Sequence, residues 1–99
     1  MRIATEIFGS KVKKPEHITN DIEFEYYSLE RIQERANNFI ENKGLNREDI
    51  ITYKVKLRRS FEKGKKDLGG GKIISTTDEI IFARIYLTYV DKSKENIEE

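Results

Sequence analysis

Apolar and polar residues alternate at the two ends of this chain, while the middle follows a helical period. In RIATEIF, Ile3, Thr5 and Ile7 fall on one side and Ala4, Glu6 and Phe8 on the other, with Gly9 and Ser10 closing the run. A first strand is predicted there, followed by a polar connector, KVKKPEH, that holds the only proline, Pro15. DIEFEYY alternates Ile22, Phe24 and Tyr26 with Asp21, Glu23 and Glu25 and reads as a short, acidic-faced strand. Its glutamates and its place directly before a helical run leave an early helical turn as the alternative.

The helix is the clearest element. Leu29, Ile32, Ala36, Phe39 and Ile40 recur at helical spacing, Arg31, Glu34, Arg35 and Asn38 take the polar side, and Gly44 supplies a stop. With Ser28 as N-cap, the pattern predicts a helix from about Leu29 to Lys43. IITYKVKLRRSF then returns to alternation, setting Ile51, Tyr53, Val55 and Leu57 against Thr52, Lys54, Lys56 and Arg58. DEIIFARIYLTYV is the most apolar run, and both of its faces carry large side chains. It therefore reads as a central strand, or as one whose second face meets a partner. Together these elements predict an α+β fold: an antiparallel sheet of three or four strands with one amphipathic helix packed on one face. Residues 1–90 form one domain in this reading, and the charged tail 91–99 frays.

Composition narrows the picture. The 99 residues suit a single domain, and 36% hydrophobic against 37% charged residues is a polar balance for a folded one. A formal charge of +1 predicts neither a general polyanion binder nor a membrane-surface protein, so charge must be argued locally. The absence of cysteine removes disulfides, thiol catalysis and thiolate-held metals. No run approaches the roughly 20 apolar residues of a membrane span, and MRIATEIFGSKVKK has no signal-peptide core, which points to a cytoplasmic protein without membrane contact.

Little in the chain suggests catalysis, a metal or a cofactor. His17 is the single histidine and has no ligands at metal-binding spacing, and Glu23 with Glu25 reads as a solvated acidic pair. The Gly69-Gly70-Gly71 run fails the phosphate-loop pattern, since the first required glycine falls on Lys66 and Ile73 follows Lys72. Its plain reading is a turn between two strands.

The stronger signal is the basic character of the same stretch. Lys54, Lys56, Arg58, Arg59, Lys63, Lys65, Lys66 and Lys72 stand against Glu62 and Asp67 alone, and Arg84 lies in the next strand between Phe82 and Tyr86. If Lys54, Lys56 and Arg58 share a sheet face with Phe82, Arg84 and Tyr86, cations and rings interleave as phosphates and bases require. Three occupants of that face stay open. It can bind RNA, single-stranded DNA or a phosphorylated small ligand; it can pair internally with Asp21, Glu23 and Glu25; or Phe82 and Tyr86 can lie in a homo-oligomer or protein interface. The functional expectation is a non-enzymatic adaptor or inhibitor acting through protein contact or self-assembly, with nucleic-acid or phosphate binding as the alternative.

SLERIQERANNFIENKG, IITYKVKL and DEIIFARIYLTYV together resemble a group of very small sporulation-associated proteins of spore-forming bacteria and their phages, over about residues 27–90. The resemblance implies a strand-helix-strand-strand domain, with no catalytic motif to carry over and no assigned biochemical role; the adaptor or inhibitor expected above then fits a phage- or mobile-element-encoded protein. The KVKKPEHITN connector and the long basic stretch depart from it.

Overall fold

A computed structural model describes residues 2–92. The chain runs β1 (Arg2–Lys13), α1 (Asp21–Lys43), a 3-10 turn (Arg47–Asp49), β2 (Ile50–Gly69) and β3 (Lys72–Asp91). The strands form one antiparallel sheet in the order β1-β3-β2, so the strand with two apolar faces is central, as its composition predicts. The architecture is α+β, with one helix against a three-stranded sheet.

Packing follows from strand parity. Phe8 and Val12 of β1 and Ile81, Ala83, Ile85, Leu87 and Tyr89 of β3 point to the helix side, where Phe24, Ile32 and Ala36 of α1 bury against them. Phe39 extends this core, with its ring edge-on to Phe8 at 5.6 Å and to Tyr89 at 5.5 Å. A helix about 10 Å across covers only two strands spaced about 4.8 Å apart. α1 lies over β1 and β3, and the helix-side residues Tyr53, Val55 and Leu57 of β2 stay partly open, at 38%, 40% and 37% exposure.

Three boundaries differ from the sequence reading. Residues 21–26 are helical, not a strand: α1 begins at Asp21, capped by Asn20, whose Oδ1 accepts from Ile22 N at 2.7 Å and from Glu23 N at 3.4 Å. Phe24, Ser28, Ile32 and Ala36 recur every fourth residue on the buried side, and that helical stripe outweighs the local alternation. Ser28 is consequently no cap. It is buried, and its Oγ donates to the Phe24 carbonyl at 2.8 Å. β1 passes Gly9 and Ser10 and stays paired with β3 to Lys13.

The third difference sets the shape. Where a connection was expected after Phe61, β2 and β3 continue as a two-stranded ribbon to the pair Gly69↔Lys72. β1 leaves β3 at Lys13↔Ile80, so among the described residues the ribbon from Phe61↔Glu79 outward has no third strand. Eight residue steps of about 3.4 Å make an arm of roughly 27 Å. The molecule is accordingly 69 Å long, and its radius of gyration is 19.1 Å, against about 13 Å for a compact chain of this size. The glycines serve as the turn: Gly69, Gly70 and Gly71 all have positive φ, and Asp67 Oδ1 accepts from Gly69 N at 2.8 Å.

At the other end, Gly44 closes α1 in the left-handed region, at φ 65°. Asp49 is anchored by Asn46 N at 2.8 Å and by Lys92 Nζ at 2.8 Å. Those hydrogen bonds hold its carboxyl below the usual carboxylate range. Asp91 is the buried last residue of β3, opposite Arg2, so the first two residues of the expected tail are held by the body. Residues 93–99 of that tail lie outside the described residues. Among the described residues no helix is long and apolar enough to cross a membrane.

Candidate functional site

Among the described residues no helix lies on the sheet face away from α1, and three rows of residues cross that face from β1 through β3 to β2. They are Ile7, Tyr86 and Lys54; Gly9, Arg84 and Lys56; and Lys11, Phe82 and Arg58. Each row therefore places a β3 side chain beside a β2 cation, and β1 adds Ile7 and Ile3 as exposed apolar surface on the far side. One border of the face is basic, the middle is aromatic and cationic, and the opposite border is apolar at Ile3 and Ile7 and cationic at Lys11.

The cations rest on the rings. Arg58 Cζ lies 4.8 Å from the centre of the Phe82 ring, Lys11 Nζ lies 6.0 Å from the same ring, and Lys56 Nζ lies 5.6 Å from that of Tyr86. Arg84 Nη1 lies 3.5 Å from the Tyr86 hydroxyl. The Arg84 guanidinium beside it holds the Tyr86 phenol below its ordinary range, and Lys56 adds to the effect. Lys56, Leu57, Arg58, Phe82, Arg84 and Tyr86 enclose an open pocket of about 330 Å³.

What these cations lack matters as much. Lys54, Lys56, Arg58 and Arg84 have no carboxylate partner among the described residues, whereas Lys11 reaches Glu62 at 2.7 Å. The internal pairing with Asp21, Glu23 and Glu25 does not form. Those acids belong to α1 on the other side of the sheet, and two of them bind Arg59, at 3.1 Å from Asp21 and 3.0 Å from Glu25. Arg59 thus leaves the candidate set. Its odd position in β2 turns it towards the helix, where both carboxylates raise its guanidinium pKa further. Lys65, Lys66 and Lys72 also stand apart from the open face, on the arm, and Lys66 reaches Glu16 at 3.8 Å.

Sequence reasoning missed the contribution of β1. Gly9 leaves the ground beside Arg84 low, and Ile7 and Lys11 complete rows that become visible only once β1 is known to pair with β3. His17, away from this face, sits edge-on to Tyr27 with ring centres 6.4 Å apart. Among the described residues no group of three or more His, Cys, Asp or Glu side chains is placed to hold a metal ion. The chain matches no family model, no curated protein and no solved structure.

Proposed function

We infer that the protein is a non-enzymatic binder of single-stranded nucleic acid and that the open sheet face is its contact surface. The observation that carries this reading is the set Lys54, Lys56, Arg58 and Arg84, four cations on one face without a carboxylate partner among the described residues, interleaved with Phe82 and Tyr86. Alternate β2 residues are about 6.8 Å apart, twice the 3.4 Å step of a stacked strand, so a strand stretched to about twice its stacked rise meets a cation at each phosphate. Bases directed towards β1 then lie over Phe82, Tyr86 and Ile7, or stack on the guanidinium planes of Arg58 and Arg84. Sequence is read weakly by such a surface, because stacking accepts every base.

Protein contact or self-assembly is the second reading, favoured by the partly open row Tyr53, Val55 and Leu57 on the helix side of β2. Edge-to-edge pairing of two β2 strands, however, brings Lys54, Lys56 and Arg58 against their own copies, and like charges directly opposite destabilise a sheet. Light scattering at low and high salt separates the readings, since self-assembly through β2 strengthens as salt screens that repulsion.

Fluorescence anisotropy with labelled oligo-dT and oligo-U tests nucleic-acid binding. Phe82→Leu with Tyr86→Leu is expected to weaken binding by about 1–3 kcal/mol for each stacked base lost. Equal affinity of this variant and the wild type contradicts base stacking. Binding of inorganic phosphate with no retention of either oligonucleotide favours a small phosphorylated ligand in the pocket instead.

A further inference from the structure

The arm carries a separate arrangement of charge. At its base, three acids are engaged by β1 and the residue after it: Glu62 by Lys11 at 2.7 Å, Asp78 by Lys13 at 3.3 Å and Glu79 by Lys14 at 2.9 Å. These pairs tie the arm to the body where the third strand ends. Gly64 belongs to the same fastening, because a Cβ there would come within 2.8 Å of Thr76 Oγ1 and would displace the Asp78 carboxylate. Farther out, the one remaining arm acid, Asp67, is committed to the turn.

The distal arm is therefore basic. On the ribbon face that continues the helix side of the sheet, Lys63 stands directly across from Thr77 and Lys65 across from Ser75, all four exposed and none with an ion pair or side-chain hydrogen bond among the described residues. Leu68 and Ile73 near the tip are also uncovered, at 56% and 64% exposure. A two-stranded ribbon without a third strand or a helix is marginal in water, so the length of this one points to a partner that orders it. The major groove of a duplex, about 12 Å wide, admits such a ribbon, and lysines and hydroxyls are side chains that meet base edges and phosphates there.

We propose that the arm enters the groove of duplex nucleic acid next to the single strand held by the open face, so that the protein recognises the junction between paired and unpaired segments. The inference rests on the single-strand reading above, and the two contacts use different residues, of opposite strand parity, so the duplex and the unpaired strand leave the junction on the two sides of the sheet. Lys63, Lys65, Ser75 and Thr77 grip the duplex; Lys54, Lys56, Arg58 and Arg84 grip the unpaired strand. Because the ion pairs fix the arm to the body, engagement of one part raises the effective concentration of the other.

The test compares a forked DNA, its unpaired tail alone and its duplex alone by anisotropy at low salt. The fork is expected to bind tighter than the tail by on the order of tenfold or more. In the variant carrying Lys63→Gln, Lys65→Gln, Ser75→Ala and Thr77→Ala, fork affinity falls to that of the tail, and tail affinity stays within about twofold, as distant sites act independently. These exposed changes leave the body intact, which a thermal melt verifies. Equal binding of fork and tail by the wild type overturns the junction proposal while the open-face reading stands. Arm-dependent binding of fork and duplex with no binding of the tail overturns the open-face reading instead. Failure to bind any of the three overturns both. Binding to anionic-lipid vesicles that is lost in Leu68→Asp with Ile73→Asp, with no preference for the fork, assigns the arm to a membrane surface and also overturns the proposal.

Discussion

The same two strands, β2 and β3, build two regions with opposite physical character. In the body they are joined by β1 and covered in part by α1, and Ile81, Ala83, Ile85 and Leu87 are fully buried. In the arm no third strand or helix lies on them among the described residues, and Leu68, Ile73 and Ile74 are exposed. Continuous strand hydrogen bonding thus says nothing about local stability; what lies on the faces does. The comparison also separates two uses of charge. Acids at the base of the arm meet lysines, while the open face of the body leaves its cations without carboxylates among the described residues.

The largest expected contrast is between two isoleucines of one strand. Ile85→Ala is expected to cost about 2–5 kcal/mol in chemical denaturation, because it empties a fully packed site. Ile73→Ala, twelve residues earlier on the arm, is expected to stay within about 0.5 kcal/mol, as exposed positions do. Comparable losses at both sites would mean that the arm packs against something. Next in size is Asn20→Ala, which removes the cap of α1 and is expected to lower the unfolding free energy by about 1 kcal/mol. An unfolding free energy unchanged by Asn20→Ala would mean that Asn20 does not cap the helix.

Gly64→Ala acts on the boundary between the regions. Displacing Asp78 loosens Lys13 from the arm base, so arm amides from Lys63 to Thr77 are expected to exchange faster with solvent while body amides and the global melt scarcely change. Faster exchange throughout the sheet would show that arm and body unfold as one unit. The smallest effect concerns the far end of the body. The depressed Asp49 carboxyl favours the folded state above the ordinary carboxylate range, and that contribution is lost as pH falls through its lowered value. Asp49→Asn is expected to flatten the stability profile below about pH 4, read from melts across acid pH, and to leave the arm unaffected.

Much of the body could be read from the chain because burial leaves a pattern. β3 is apolar at both parities from Ile80 to Val90 and is the central strand; the alternation in β2 puts Lys54, Lys56 and Arg58 on one face. The same parity puts Arg59 on the other, a separation hidden by treating the basic run as one cluster. The first turns of α1 were obscured because Ile22, Phe24 and Tyr26 also satisfy a strand period; Asn20 and the four-residue spacing from Phe24 to Ala36 were the better guide. The arm left no such trace. A ribbon with no buried face needs no hydrophobic alternation, so Lys63, Lys65, Ser75 and Thr77 resemble a loop. The contribution of Ile7, Gly9 and Lys11 depended on which strand β1 joins, which residue order alone does not specify.

The most direct measurement is the salt dependence of oligo-dT binding by the wild type and by the variant with Lys54→Gln, Lys56→Gln and Arg58→Gln. Four phosphate contacts predict a slope of log Kobs against log salt near −3 for the wild type, and removal of three predicts a slope near −1. Absence of binding at low salt, or the same slope in both proteins, would contradict the assignment of the open face.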